Sequence, residues 1–259
     1  AYGLNDPFLV RYARYMFNLC RGDMGASYIT KQDVFASYME LLPNTIKLSV
    51  LSVVIAVIVS IPLGINAAIH QNTWADTGSM ITSLVFVSMP QFWLGLLLII
   101  AFALNLKWFP SGGNEDGFRS LVLPAFTVGI GLAALMTRTT RSSMLETIRQ
   151  DYITTAKAKG VSNRVTIYHH AFKNALIPIV TIAGMQFAQI LGGSVLTETV
   201  FSYPGVGRLI VQSIDRRDIP MVTGSLILTT ILVSFVNLAT DIVYAYIDPR
   251  IKSRYAKVK

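Results

Sequence analysis

Apolar residues run through this chain in long blocks, with polar segments between them, and nowhere settle into the strict alternation of a half-buried strand. Five blocks approach or exceed the roughly 20 residues a helix needs to cross a hydrocarbon layer of about 30 Å. They are Asn44 to Ala68, Ser79 to Leu106, Leu121 to Thr137, Leu176 to Thr199, and Pro220 to Ile247. Pro124 and Pro178 fall near the starts of the third and fourth, where neighbouring helices can satisfy the backbone groups that proline frees. The pattern predicts an all-α membrane protein with five spans.

Ahead of the first block the pattern changes. In "NDPFLVRYARYMFNLCRG", Phe8, Tyr12, Tyr15 and Leu19 fall on one helical face, and Arg11, Arg14, Asn18 and Arg21 on the other. That spacing predicts an amphipathic helix, with Asp6 as its cap, Pro7 at its first position and Gly22 at its exit. "TKQDVFASYMELLP" predicts a second one, with Thr30 and Asp33 placed as in a capping box and Pro43 closing it. Residues 1–42 therefore read as external amphipathic helices, and residues 43–259 as the transmembrane domain.

Composition agrees with a membrane location: 53% of the 259 residues are hydrophobic and 14% charged, against roughly a quarter charged in soluble domains. The net charge of +8 does not point to nucleic acid, because the lysines and arginines lie between the apolar blocks. Arg138, Arg141, Arg149, Lys157, Lys159, Arg164 and Lys173 follow the third block, and Arg250, Lys252, Arg254, Lys257 and Lys259 follow the fifth. Both groups lie on one side if five spans alternate, and short basic segments mark the cytoplasm. Residues 1–42, "KWFPSGGNEDGFR" and "FSYPGVGRLIVQSIDRRDIP" are then external. An odd number of spans starting outside predicts a sixth helix upstream. The opening "AYGLNDPF" shows no signal peptide. Cys20, the single cysteine, gives no disulfide framework or thiolate metal cluster and reads as a packing residue.

The most structured polar stretch is "DYITTAKAKGVSNRVTIYHHAFKNALIPIV". Asp151 can cap a short helix from Tyr152 to Lys159, and Gly160 can end it in the left-handed conformation. Lys157 and Lys159 then sit in the last turn, where the helix dipole favours cations. Ser162 can cap a second helix with Val165, Tyr168 and Phe172 on one face. From residue pattern alone, two readings stand level: a loop that only sets topology, or a compact helix pair that does mechanical work.

Other candidate chemistry is sparse. No G-x-x-x-x-G-K-[ST] phosphate loop occurs, so the chain cannot cradle ATP phosphates by that motif and its energy is expected from a partner, and "GLNDP", "SGGNEDG" and "YPGVG" read as turns. His70, His169 and His170 lack acidic or cysteine neighbours at ligand spacing, so they read as packing or interface residues and no metal is expected. Glu198 and Asp241 are the acids in or near spans; a membrane carboxylate is a functional candidate, while Asp241 also suits a snorkelling or helix-pairing role. Ser88, Gln91, Gln186, Gln189 and Asn237 form a polar set that either hydrogen bonds between helices or faces a watery path. Gln186 and Gln189 share a helix face. Pro62 and Pro90 are candidate bends. In the last external loop Pro204 and Gly205 make a turn, Leu209, Val211 and Ile214 form a short apolar segment, and Phe201 and Tyr203 suit a membrane interface.

The stretch from Asp151 resembles the coupling segment, or EAA region, of ATP-binding-cassette importer permeases. It is most similar to the peptide-type version, D-Y-x-x-T-A-x-A-K-G followed by H-A-x-x-x-A-x-x-P. Thr154, Thr155 and Ala156 stand where the general family has Glu-Ala-Ala, Gly160 stands at its glycine, and His170, Ala171, Ala175 and Pro178 match the second half. "SMPQFWLG" and "ETVFSYPGVGRL" resemble two further family stretches in the right order, and the similarity runs from about Gly3 to Arg250.

The resemblance implies a type I importer transmembrane domain, with residues 141–173 as cytoplasmic coupling segment and 200–219 as external loop. It implies that Asp151, Tyr152, Thr154, Thr155, Ala156, Lys157, Ala158, Lys159, Gly160 and Val161 meet a cytoplasmic ATPase. Ser88, Pro90, Gln91, Gln186, Gln189 and Asn237 would line the path. Tyr203, Pro204, Gly205, Gly207 and Arg208 would meet an external substrate-binding protein, although capping of the outer bundle mouth explains that loop equally well. The partners implied are a second homologous permease and two ATPases that carry ATP and Mg, in a bacterial or archaeal plasma membrane. Substrates would be di- or oligopeptides, with nickel chelates or glutathione-like peptides as alternatives. A self-contained channel or secondary transporter is the rival reading; it requires intramembrane charged pairs or inverted repeats, and neither is visible in the sequence.

Overall fold

Val34–Ile69 (α2) is one helix of 36 residues, about 54 Å long, and the rest of the molecule is arranged along it. The computed structural model describes residues 7–247; the Asp6 cap and the basic tail from Arg250 to Lys259 lie outside them. Four apolar clusters follow one another down α2, centred on Val34 and Tyr38, then Leu48, then Ala56, then Ile65 and Ala68. Phe118–Ile148 (α5) runs parallel to it, since Leu121 shares the Leu48 cluster and Met144 shares the Ile65 cluster. Small residues allow the close approach: a Cβ on Gly64 would lie 2.5 Å from the Thr140 Cβ, the kind of contact that holds helices where apolar burial gives no driving force.

Asp33 alone caps α2, accepting from the Ala36 N–H at 2.8 Å, so the expected Thr30 capping box is replaced by a single cap. Pro43 does not close an amphipathic helix; it lies inside α2, as does Pro62. The carbonyl that Pro43 leaves without a donor belongs to Met39, an exposed residue, and water or lipid headgroups can satisfy it there.

The second expected span is two helices, Trp74–Ser88 (α3) and Gln91–Leu98 (α4), bent by 99° at Met89–Pro90. Pro90 ends α3 because the residue before proline is pushed out of the helical region, and Met89 has ψ 129. Beyond α4 the chain widens into a π-helical stretch, Ile99–Asn105. Four helices are long and apolar enough to cross a membrane, and the bent pair makes up to five. The third crossing extends past Thr137 to Ile148, so Arg138 and Arg141 lie on its last turns rather than in a loop.

Asp151–Ala158 (α6) is followed by Asn163–Val165 (α7), a π-helical segment Thr166–Ala171 and Phe172–Gly193 (α8). The last three run on as one span, Asn163–Gly192, which begins earlier and ends earlier than the apolar block suggested. Glu198 therefore belongs to a separate short helix, Val195–Val200 (α9). Val206–Asp215 (α10) and the start of Ile219–Ile247 (α11) complete a cap at the Val34 end, where Val206, Ile210 and Met221 share the Val34 cluster. The buried face of α10 is Val206, Ile210 and Ser213, not Leu209, Val211 and Ile214. Phe8–Cys20 (α1) buries no residue; Leu19 meets the Val34 cluster, and Gly22 ends the helix at φ 84.

Candidate functional site

Three places in the fold carry the chemistry singled out above. The first is α6, at the end of the bundle opposite the α9–α10 cap. Gln150, not Asp151, is its N-cap, and it offers no side-chain hydrogen bond; Asp151 sits in the first turn, where its charge faces the helix dipole. Gly160 follows the helix at φ 77, the left-handed region that Gly enters without a steric penalty. Ser162 then caps the next helix through the Val165 N–H at 3.5 Å.

Tyr152, Thr154, Thr155, Lys157, Ala158, Lys159 and Gly160 are all exposed, while Ala156 and Val161 are half-buried. One side chain holds the helix down. Ile153, 1% exposed, fits among Ile65 and Ala68 of α2, Met144 of α5, and Ile167, Ala171 and Ala175 of the α7–α8 span. The buried face of that span is thus Ile167, Ala171 and Ala175, whereas Val165 and Tyr168 are exposed. Tyr152 Oη accepts from Asn174 Nδ2 at 2.8 Å. Periodicity around Ile153 gave no reason to single it out, because only its neighbours along the other helices define its pocket.

The second place is a cavity of about 280 Å³ in the middle of the bundle, where the α3–α4 bend meets α5 and α8. Gln91, Gln186 and Gln189 all line it, with Met89, Thr127 and Ser194. No charged side chain lines this cavity. Ser88 and Pro90 flank Met89 at the bend without being part of the lining, and Asn237 lies exposed on α11, apart from it. Asp241 is exposed on the same helix. His169 and His170 pack edge to face at 5.2 Å, and among the described residues no group of three or more His, Cys, Asp or Glu is placed to hold a metal ion.

The third place is the loop from Phe201 to Pro220 with α9 and α10. Phe201 and Tyr203 do not sit at a membrane interface: each is 1% exposed, packed among Leu48, Leu94 and Leu121. Gly205 and Gly207 are buried as well, so of the five residues expected to meet an external protein only Pro204 and Arg208 are part-exposed. The cause is Glu198, fully buried and bound from four sides. Its carboxylate accepts from Thr45 Oγ1 and Ser194 Oγ, both at 2.8 Å, from the Arg208 N–H at 3.0 Å and from the Gly207 N–H. A Cβ on Gly205 would lie 2.4 Å from the Glu198 carboxyl carbon, so the YPGVG turn wraps a carboxylate. Ser194 belongs both to this hub and to the cavity lining.

One charged pair was not visible in the sequence. Asp76, in the first turn of α3, accepts from Arg141 of α5 through both carboxylate oxygens, the Nη2 contact being 2.6 Å. The two residues lie 65 positions apart and meet at the α6 end of the bundle.

The model of the family described as binding-protein-dependent transport system inner membrane component matches residues 60–253. The chain is 41% identical to the dipeptide transport system permease protein of Alkalihalophilus pseudofirmus, over 96% of its own length and 83% of that protein's. It is 40% identical to the oligopeptide transport system permease protein of Bacillus subtilis, over 97% and 83%. It is 38% identical to the glutathione transport system permease protein of Salmonella paratyphi A, over 96% and 81%. Its fold is similar to an inward-facing structure of the MetNI methionine ABC transporter, with a TM-score of 0.70 over 82% of this chain and 96% of that one at 19% identity. It also matches an amino acid ABC transporter with histidines at a TM-score of 0.61, covering 83% and 94% at 16% identity. A family model spanning most of the chain, relatives near 40% identity over nearly all of it, and an all-helical bundle of the type I importer kind agree: the chain belongs to the binding-protein-dependent transport system inner membrane components, the permease subunits of ATP-binding-cassette importers.

Proposed function

We propose that this chain forms half of the translocation path of an ATP-driven peptide importer and receives its drive through α6. The observation that carries the reading is the mounting of α6: an exposed, glycine-terminated helix fixed by a single buried side chain, Ile153, at the meeting point of α2, α5 and the α7–α8 span. A helix held in that way passes a push from a bound partner to three membrane helices at once. Closure of two cytoplasmic ATPases, which carry ATP and Mg, supplies the push, and rigid-body motion of the bundle switches access. The α6 end then faces the cytoplasm and the α9–α10 cap faces outside, a reading supported by the basic residues after the third apolar block.

A second homologous permease completes the path, and an external binding protein delivers the solute. Pro204 and Arg208, with the 1–42 segment, contribute to that docking surface. The amide-lined cavity around Gln91, Gln186 and Gln189 is this chain's share of the path. Primary amides pair with peptide N–H and C=O groups without preference for side chains, which suits a solute varied in sequence. Di- and oligopeptides are the substrates supported by the 41% and 40% relatives; a glutathione-like peptide is the second reading, supported by the 38% relative.

The test is reconstitution of the complete membrane complex in proteoliposomes with its binding protein, comparing the native chain with Gly160→Glu. At φ 77 the glutamate strains the turn and adds charge beside the partner surface. ATP-driven uptake of a labelled dipeptide is expected for the native complex and its loss for the variant, with the variant chain still inserted. Uptake that needs no ATP, or that survives Gly160→Glu, overturns the reading.

A further inference from the structure

We infer that the Asp76–Arg141 pair is a positioning device that makes the bent α3–α4 pair follow the movement of α6. The inference rests on the coupling role proposed for α6 and goes beyond it by naming the link to the cavity. Ile153 anchors α6 against Met144 of α5. Arg141 lies one turn before Met144 on the same helix, and its guanidinium grips the first turn of α3 through both oxygens of Asp76.

Asp76 is 3% exposed, and its Oδ2 also accepts from the Asn72 N–H at 3.0 Å, which fixes the turn between α2 and α3. A second tie, from Arg149 Nη2 to Gln71 Oε1 at 3.2 Å, joins the end of α5 to that same turn. The other end of α3 is the Met89–Pro90 break, where Met89 and Gln91 enter the cavity lining. The chain of contacts is therefore continuous: α6, Ile153, Met144, Arg141, Asp76, the length of α3, and the cavity edge.

The physical argument is one of stiffness. α2 and α5 are already locked by the Gly64–Thr140 approach, so they move as one body without further help. The buried residues of α3 are Asp76 and Ser83, Asp76 carries the ion pair to α5, and the apolar side chains Ile81, Leu84 and Val85 of the helix are exposed. Apolar contacts with lipid slide freely. A bidentate arginine–carboxylate pair is directional and does not slide, so it makes α3 track α5 rather than lag behind it.

The experiment uses the complete reconstituted complex and reads the amount of dipeptide taken up per ATP hydrolysed, together with the amount of chain in the membrane. Asp76→Asn keeps the shape but removes the negative charge and one of the two acceptor oxygens, and the exchanged variant Asp76→Arg/Arg141→Asp restores a pair of opposite polarity. Uptake per ATP is expected to fall about tenfold in Asp76→Asn and Arg141→Leu, within the range seen for residues that transmit coupling, and to recover in the exchanged variant at unchanged abundance. A merely structural pair would lower abundance and leave the uptake per ATP of the surviving complexes unchanged, and that result overturns the inference. So does an exchanged variant that inserts normally yet couples no better than either single change. Normal coupling in Asp76→Asn alongside lost coupling in Gly160→Glu removes only the link through α3; normal coupling in both removes the coupling role of α6 itself.

Discussion

The hydroxyl of Thr45 donates to the carboxylate of Glu198 at 2.8 Å across 153 residues of sequence, tying the first third of α2 to α9. The same hydroxyl oxygen accepts from the Val206 N–H at 2.9 Å, and Asn44 Nδ2 donates to the Pro204 carbonyl at 2.9 Å. One carboxylate thus closes a ring that includes α2, the YPGVG turn and Ser194 at the cavity roof. Its removal leaves several buried donors without an acceptor, each worth about 1–3 kcal/mol. Glu198→Ala is expected to lower stability by about 3 kcal/mol, read as a clear drop in thermal midpoint in detergent. Gly205→Ala should act in the same direction, because its new Cβ would meet the carboxyl carbon. An unchanged midpoint in Glu198→Ala would show that the ring is ornamental.

Ile153 offers a separate test of how α6 is held. Truncating a fully buried isoleucine removes about 2–5 kcal/mol of packing when the site cannot collapse, and here Ile153 shares one buried cluster with six residues from three other segments. The bundle itself has three further clusters along α2, so the loss should be local. Ile153→Ala is expected to leave the chain in the membrane and the bundle folded, while protease cleavage within residues 151–161 speeds up and uptake per ATP falls. Cleavage at the native rate would mean that Tyr152, through Asn174, holds the helix by itself.

Asp218 gives the cap at the Val34 end a pH dependence. Burial pushes its carboxyl up, but the Ser27 hydroxyl and the N–H groups of Tyr28, Met221 and Ile29 outweigh that and leave it below the usual carboxylate value. A group depressed in the folded state stabilises it above the unfolded pKa of about 3.9, and the stabilisation is lost as pH falls through the folded value. The native chain should therefore be more stable than Asp218→Asn at pH 7. That gap should close below about pH 4, as the native carboxyl takes up a proton. Thermal midpoints of both proteins across this range decide it, and a gap independent of pH would assign the difference to shape alone.

What the sequence disclosed and what it hid divide along range of interaction. Gly160 and Ser162 could be read locally, since a left-handed exit and an N-cap depend on a few neighbouring residues, and both stand where expected. Pro90 was legible for the same reason. Tyr203 and Phe201 were misplaced because aromatic rings beside a membrane usually mark its interface, whereas here α2, α4 and α5 bury them. Pro43 reads as a stop because proline removes a helix hydrogen bond; packing of α2 against the cap carries the helix through it. Asp76 and Arg141 gave no signal, being far apart and each unremarkable in its own segment. Of the cavity, three glutamines were legible as intramembrane amides, but Asn237 has the same character and points elsewhere, and only the tertiary arrangement separates them.

Those glutamines carry the last prediction. Gln186 and Gln189 reach the cavity from α8 and Gln91 from the start of α4. If they act as a set that exchanges hydrogen bonds with a passing peptide backbone, replacing one amide removes about 1 kcal/mol of interaction and leaves neighbours to compensate. Gln186→Leu should lower uptake about fivefold at limiting peptide, with chain abundance unchanged, whereas Asn237→Leu on the remote face of α11 should leave uptake at its native level. The reverse order, with Asn237 mattering and Gln186 not, would move the path from the α3–α4 bend to the exposed side of α11. Full uptake in both would remove Gln186 from the path and assign it to hydrogen bonding between helices.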